Sequence, residues 1–420
     1  MSLRSKSLAL ACAFLAATAA AAWAQPMKFD FGSGKVAPGF TQILPATVFT
    51  AERGYGFDPG SKVVAVDRGG DDALRGDFCT GDGPFFFSVV LPEGNYNVTV
   101  TLGDAAGETT STLKAESRRL MLEKVRTAAG KFETRTFTVN IRRPAIASGG
   151  RVRLKEREKD YLHWDDKLTI EFNGARPCVA ALEITAAPGA ATVWLLGDST
   201  VTDQPHEPWN SWGQMITRFF GPGVAVANHA ESGESWKSSL GAGRVDKVWS
   251  AIKAGDYVFA QFGHNDMKDR APDALATYEG NVERFVDEAR KRGATPVLVT
   301  SMERKAGVER DTLGDYPKVV REVAARKGIA LIDLHATSKV LYRALGADLG
   351  RAFQDGTHHN AYGSYELARC IVEGIKANRL GLAKFLVTDL PPFDPAHPDP
   401  VGTFSVPASP QSSAAKPDGN

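Results

Sequence analysis

The feature that most limits the fold is a change of texture near residue 188. From Met27 to Ala187 the apolar residues come in short alternating segments separated by Gly, Pro and Asp clusters. Phe85-Phe86-Phe87-Ser88-Val89-Val90-Leu91 is followed by the turn-forming Pro92-Glu93-Gly94-Asn95 and a second run over 96–102. A period of two sends successive side chains to opposite faces of a strand, and the residues between the runs are those that favour turns. Further strands are predicted over 131–141, 168–172 and 179–185, with only a short helical turn near 112–122. This spacing suits an antiparallel β-sandwich.

After Ala187-Pro188-Gly189-Ala190 the apolar runs become continuous, at 192–196, 224–227, 257–262, 295–300 and 329–332. They alternate with amphipathic stretches that predict helices near 211–220, 245–254, 274–292, 315–327, 336–345 and 362–378. Continuous apolar strands fit a parallel sheet covered by helices on both faces. Beyond Thr388 the chain is rich in Pro, Ser and Ala without periodicity and reads as a disordered tail. No repeat of fixed period is visible, which argues against a solenoid or propeller.

The N-terminus reads as a secretory signal: Arg4 and Lys6, an apolar run over 8–22, then Ala22-Trp23-Ala24 before Gln25. The resulting organisation is 1–24 signal peptide, 25–188 β-sandwich, 189–387 α/β domain and 388–420 tail. A secreted or periplasmic location follows, without a membrane anchor once the signal is removed, because the run is short and Ala-rich for a span of about 20 residues. Cys79, Cys178 and Cys370 then remain, too few for a dense disulfide framework and without a C-x-x-C motif. Either Cys79 and Cys178 form one bridge or all three are buried thiols. The 50 basic and 49 acidic residues nearly cancel, so no global field draws the chain to nucleic acid or an anionic membrane.

The first run of the second domain stops at Gly197-Asp198-Ser199-Thr200. That places a hydroxyl where ligand chemistry gathers in open α/β sheets, although Ser is also a common helix N-cap. At the far end, Asp355-Gly356-Thr357-His358 offers a carboxylate and an imidazole three residues apart, before a helical stretch. Acyl transfer by serine needs a base that takes the hydroxyl proton and later protonates the leaving alcohol, and a carboxylate that fixes the imidazole tautomer. Oxyanion donors are the third need. Two more strand ends can supply them: Asn228-His229-Ala230-Glu231-Ser232-Gly233, through the Gly233 N–H, and Gly263-His264-Asn265-Asp266, through the Asn265 amide.

This pattern resembles the SGNH (GDSL-like) hydrolases, whose four marker residues fall here on Ser199, Gly233, Asn265 and His358. The blocks Gly197-Asp198-Ser199-Thr200, Gln261-Phe262-Gly263-His264-Asn265-Asp266 and Asp355-Gly356-Thr357-His358 are most similar to the rhamnogalacturonan acetylesterases, carbohydrate esterase family twelve. The resemblance implies a flavodoxin-like three-layer α/β/α fold. It implies Ser199 as nucleophile, His358 as base and acid, Asp355 as its orienter, and Ser199 N–H, Gly233 and Asn265 as oxyanion donors. The implied partner is an acetylated plant cell-wall polysaccharide. One position departs: many relatives have Arg after the second-block glycine, where this chain has Glu234. The first domain resembles the galactose-binding-like sandwich found before some such esterases, through Phe29-Asp30-Phe31-Gly32 and Gly54-Tyr55-Gly56-Phe57.

Trp209 and Trp236 are candidate sugar contacts, since aromatic faces stack on sugar rings, whereas Trp212 suits the core. No cofactor and no metal are expected: His264 reads as a locally hydrogen-bonded loop residue and Asp266 as a turn or helix cap. Two rivals stand beside the acetylesterase: an esterase or lipase for another acyl compound, and a noncatalytic glycan-binding protein.

Overall fold

The computed structural model describes residues 25–389 and 391–418; the expected signal at 1–24 lies outside the described residues. The first domain packs two five-stranded sheets. In spatial order these are Lys131–Ile141, Gly94–Asp104, Ala181–Ala186, Met27–Phe31 and Thr41–Ile43, and Tyr55–Phe57, Phe85–Val90, Lys167–Arg176, Thr109–Ala115 and Arg119–Thr127. Pairings within them are antiparallel except that of Met27–Phe31 with Thr41–Ile43. Along Gly94–Asp104, Tyr96, Val98, Val100 and Leu102 are buried while Asn97, Thr99 and Thr101 are half-buried, so the period-two pattern sets the face turned to the core. Phe29, Phe31, Phe57, Phe85, Phe87 and Phe172 fill the space between the sheets. Cys79, Cys178 and Cys370 are buried free thiols.

The helical turn expected near 112–122 is instead the hairpin of Thr109–Ala115 and Arg119–Thr127, with Glu116 and Arg118 at φ 57° and 64° in its tip. The alternation is masked there because Lys114, Glu116, Arg118 and Arg119 are polar yet buried. This tip docks onto the second domain. Leu120 joins that domain's core, Arg119 Nε donates to Asp203 Oδ2 at 2.9 Å, and Gln214 Nε2 donates to the Ser117 carbonyl at 2.6 Å. Polar contacts so desolvated are costly to break, and they hold the two domains together.

The second domain is a parallel sheet ordered Val224–Asn228, Ala191–Gly197, Tyr257–Gln261, Thr295–Val299, Ala330–Ile332. Val193 and Leu195 face one apolar core, with Ile371 and Trp212. Trp194 and Leu196 face the other, with Val282 and Phe285. Helices Ala274–Lys291, Tyr316–Lys327, Leu334–Leu345 and Ala361–Ala377 cover the sheet. In chain order the strands lie 2-1-3-4-5, so the winding reverses beside the first strand and leaves a crevice at the carboxyl ends. No described helix is long and apolar enough to cross a membrane.

The expected disorder of the tail is corrected by the structure. Residues 391–418 run as a strap along both domains. Arg369 Nη1 pairs with Asp399 Oδ2 at 2.5 Å, Lys114 Nζ donates to the Pro407 carbonyl and Ser409 Oγ, both at 2.7 Å, and Trp209 Nε1 donates to the Ser413 carbonyl at 3.0 Å. The segment has no apolar period because it forms no core of its own; side chains of the body satisfy its backbone carbonyls.

Candidate active site

The first strand ends where Asp198 folds back on its successors: Oδ1 accepts from the Thr200 N–H at 2.9 Å and from its hydroxyl at 2.7 Å. Such a side-chain turn competes with continued pairing, and it presents Ser199 above the sheet. Gly197 has no room for a side chain, since a Cβ would lie 2.6 Å from Val201 Cγ2 and 2.8 Å from the Gln261 carbonyl.

Asp355 and His358 come from the loop before Ala361–Ala377, a helix capped by Asn360, whose Oδ1 accepts from Gly363 N at 3.1 Å. Asp355 Oδ1 accepts the N–H groups of Thr357 and His358, each at 2.7 Å, which locks the loop. Its Oδ2 lies 2.8 Å from His358 Nδ1. The other ring nitrogen, Nε2, lies 2.8 Å from Ser199 Oγ. Ser199 and His358 are thus brought together from positions 159 residues apart. Burial opposes the Asp355 charge, but the His358 ring and the two backbone N–H groups outweigh it and hold the carboxyl well below its ordinary range. An ionised Asp355 only accepts, so Nδ1 carries the proton and Nε2 offers a lone pair to the serine hydroxyl.

Among the described residues, the N–H groups of Ser199 and Gly233 have no hydrogen-bond acceptor, and Gly233 holds φ 81°, a conformation that suits glycine. Asn265 Nδ2 donates one hydrogen to the Glu234 carbonyl at 3.0 Å, leaving its second for another acceptor. Gln204 ties the loops together, its Nε2 donating to the Ser199 carbonyl at 2.7 Å and to Ser232 Oγ at 3.3 Å.

A cavity of about 580 Å³ adjoins these loops, lined by Gln204, Trp209, Ser232, Arg118, Arg157 and the strap residues 415–418 among others. Trp209 stands at its wall with its ring edge-on to His358, centroids 5.8 Å apart. Trp236 is the correction. It packs at 4.4 Å from Phe262 and 5.4 Å from Phe285, buried in the core and off the cavity wall, because it begins the helix Trp236–Gly241 on the face turned to the sheet. Glu234 also turns inward, with Oε1 3.4 Å from Lys155 Nζ and Oε2 accepting from Ser238 Oγ at 2.6 Å. Gln204 escapes the sequence reading: it lies just past the serine block but carries no motif. Nearby acids make Arg118-Arg119 and Lys155, Arg157 and Lys159 read as a solvated face, and this is corrected: Arg118 and Arg119 are buried, Lys155 and Arg157 are half-buried at the site, and only Lys159 is exposed.

His264 lies behind the serine turn, its Nδ1 3.2 Å from Asp198 Oδ2 and its Nε2 2.9 Å from the Met302 carbonyl. Asp266 Oδ1 accepts from Trp236 N at 2.9 Å, and burial pushes its carboxyl up to about 7. Among the described residues Glu303, Asp311 and His335 have the spacing of a metal site. However, Arg321 Nη2 donates to His335 Nδ1 at 2.9 Å, so Nε2 bears the proton facing Glu303 at 3.2 Å and has no lone pair for an ion.

Residues 195–364 match the GDSL-like lipase/acylhydrolase family. The rhamnogalacturonan acetylesterase RhgT of Bacillus subtilis is 38% identical over 218 residues, covering 47% of this chain and 94% of that one. The chain belongs to the GDSL-like acylhydrolases. It is therefore a hydrolase of the esterase type. Residues 27–142 of this acylhydrolase match the galactose-binding-like domain of β-agarase and YxiM-type esterases. The uncharacterized esterase YxiM of Bacillus subtilis is 25% identical over 381 residues, covering 85% of this chain and 92% of that one. Its solved structure covers 85% of this chain and 99% of its own at a TM-score of 0.46 and 22% identity.

Proposed function

We propose that this acylhydrolase is an exported carbohydrate esterase that removes acetyl groups from pectic polysaccharide of the rhamnogalacturonan type. Ser199 acts as nucleophile, His358 as base and acid, and Asp355 as orienter. The observation that carries the reading is the unbroken chain Asp355 Oδ2, His358, Ser199 Oγ, with both links at 2.8 Å, beside a cavity. The substrate class rests on the name of the relative that aligns over 94% of its own length.

In the first step Ser199 Oγ attacks the acetyl carbonyl carbon while its proton passes to His358 Nε2. The carbonyl oxygen becomes an oxyanion facing the N–H groups of Ser199 and Gly233 and the Asn265 amide. As the intermediate collapses, the bond to the sugar oxygen breaks and His358 returns the proton to that oxygen, releasing the sugar hydroxyl and leaving an acetyl-enzyme. A water then attacks, its proton taken by Nε2, and the second collapse releases acetate and restores the serine. Asp355 stays ionised and stabilises the imidazolium each time.

Acetate release from acetylated rhamnogalacturonan, acetylated xylan and long-chain nitrophenyl esters tests the reading. The largest kcat/KM is expected on the first. A preference for long acyl chains would defeat the carbohydrate substrate and leave a lipase-type esterase.

A further inference from the structure

We infer that Lys155 and Arg157, two cations carried by the sandwich domain, form a seat for a substrate carboxylate beside the reacting serine, so that the enzyme selects acetylated polymers containing a uronic acid. The purpose of the seat rests on the esterase reading above; its existence does not.

The two residues flank the start of the short turn Glu156–Asp160, which lies over the loop carrying Gly233. Lys155 Nζ donates to the Ser232 carbonyl, and Arg157 Nη2 donates to the same carbonyl at 3.2 Å. Through Ser232 Oγ and Gln204 this loop is one side chain removed from the Ser199 carbonyl. Any ligand held here therefore sits within a sugar ring or two of the reacting hydroxyl.

Arg157 is committed on one side only. Its Nη2 also donates to the buried Glu231 Oε1 at 2.7 Å, which fixes the plane of the guanidinium. Nη1 meets the carboxylate of Asp418 in the strap, with Oδ2 at 2.5 Å. Lys155 Nζ lies 3.9 Å from the same oxygen. Asp418 comes close to the loop itself, since a Cβ on Gly233 would lie 3.0 Å from Asp418 Cβ. With both Nη2 hydrogens engaged, a guest meets Nη1 of a fixed guanidinium beside the Lys155 ammonium, two cationic donors suited to a carboxylate, and one borne by the chain itself already lies against them.

The surrounding charges leave the seat open to such a guest. Glu158, Glu231 and Glu234 face Arg157, Lys155 and Arg244. Burial, followed by the neighbouring Glu158, pushes Glu231 up to about 7, which weakens its hold on Arg157. Asp418 meets Arg157 and Lys155 from outside. Its side chain is 56% exposed, and an ion pair that open to water is weak, so a uronate making further contacts with Trp209 and the cavity wall can displace it. The strap's last described residues then compete with substrate for one place.

Calorimetry on the full chain, with trigalacturonate and its neutral methyl ester as probes, tests this. The parent is expected to bind the acid about tenfold more tightly than the ester. Asp418→Asn, an exposed change that leaves the buried network intact, should tighten binding of the acid by about threefold and leave the ester unchanged. Arg157→Met should abolish the preference; because it strands Glu231 and risks misfolding, the Asp418 variant carries the decision if it does not fold. Equal affinity for both probes, no binding of either, or an Asp418→Asn protein with unchanged affinity for the acid overturns the proposal. These measurements need no ester cleavage: charge-selective binding without acetate release sinks the esterase reading alone, and acetate release without charge selection sinks the seat alone.

Discussion

The molecule holds two buried carboxylate–imidazole pairs near Ser199, Asp355 with His358 and Asp198 with His264, at 2.8 Å and 3.2 Å. They differ in what the second ring nitrogen meets. His358 Nε2 faces a hydroxyl, which can donate, so a neutral ring satisfies both sides. His264 Nε2 faces the Met302 carbonyl, which only accepts; with a carboxylate on Nδ1, the ring lies between two acceptors and has no hydroxyl to act on. Burial opposes the Asp198 charge, but His264 and the Thr200 donors outweigh it and keep the carboxyl below its ordinary range. The same two residue types thus make a proton acceptor in one loop and a locked structural pair in the other. The difference lies in one neighbouring atom.

The sharpest way to break that comparison is to remove the hydroxyl or the lone pair. Ser199→Ala and His358→Ala are each expected to lower kcat on nitrophenyl acetate about 10,000-fold or more, with melting temperature little changed. Retained activity in either would end the assignment. Exchanging the acids separates the pairs by kind of effect. Asp355→Asn should cost about 1,000- to 10,000-fold in kcat by permitting the wrong tautomer. Asp198→Asn should act chiefly on stability, about 1–3 kcal/mol in denaturant titration, by disrupting a buried hydrogen-bonded network behind the serine turn. Equal kcat losses in the two would erase the distinction.

Asn265→Ala should lower kcat about 100- to 1,000-fold without raising KM, the mark of an interaction made with the oxyanion rather than the ground state. The smallest effect concerns Asp266, in the same loop as His264. Its folded-state pKa, raised to about 7 from 3.8, means that as pH climbs from about 4 to 7 the unfolded chain loses this proton while the folded chain keeps it, so the parent loses stability over that window. Asp266→Asn escapes the loss. Its stability relative to the parent should climb over that window by about 1–3 kcal/mol and then level off, measured as denaturation midpoints at pH 4, 6 and 8.

Much of this was legible in the residue order. The period-two runs specify sandwich strands such as Lys131–Ile141, and the apolar runs specify the parallel sheet, because burial on one face or on both leaves different periodicities. The four blocks fall at strand ends or before the last long helix, where local turn chemistry is strong enough to read. Tertiary structure alone decided the rest. Trp209 reached the cavity and Trp236 the core, although both are tryptophans near site loops, because helix orientation fixes which face each presents. The hairpin tip at Glu116–Arg118 was obscured by polar residues buried against the second domain, and the strap over 391–418 by contacts made to partners hundreds of residues away. Lys155 and Arg157 lie about 40 residues from Ser199 and carry no motif; their place beside it follows from the docking of one domain on the other. Periodicity reports what a segment does with its own neighbours, and contacts closed between remote segments leave no such trace.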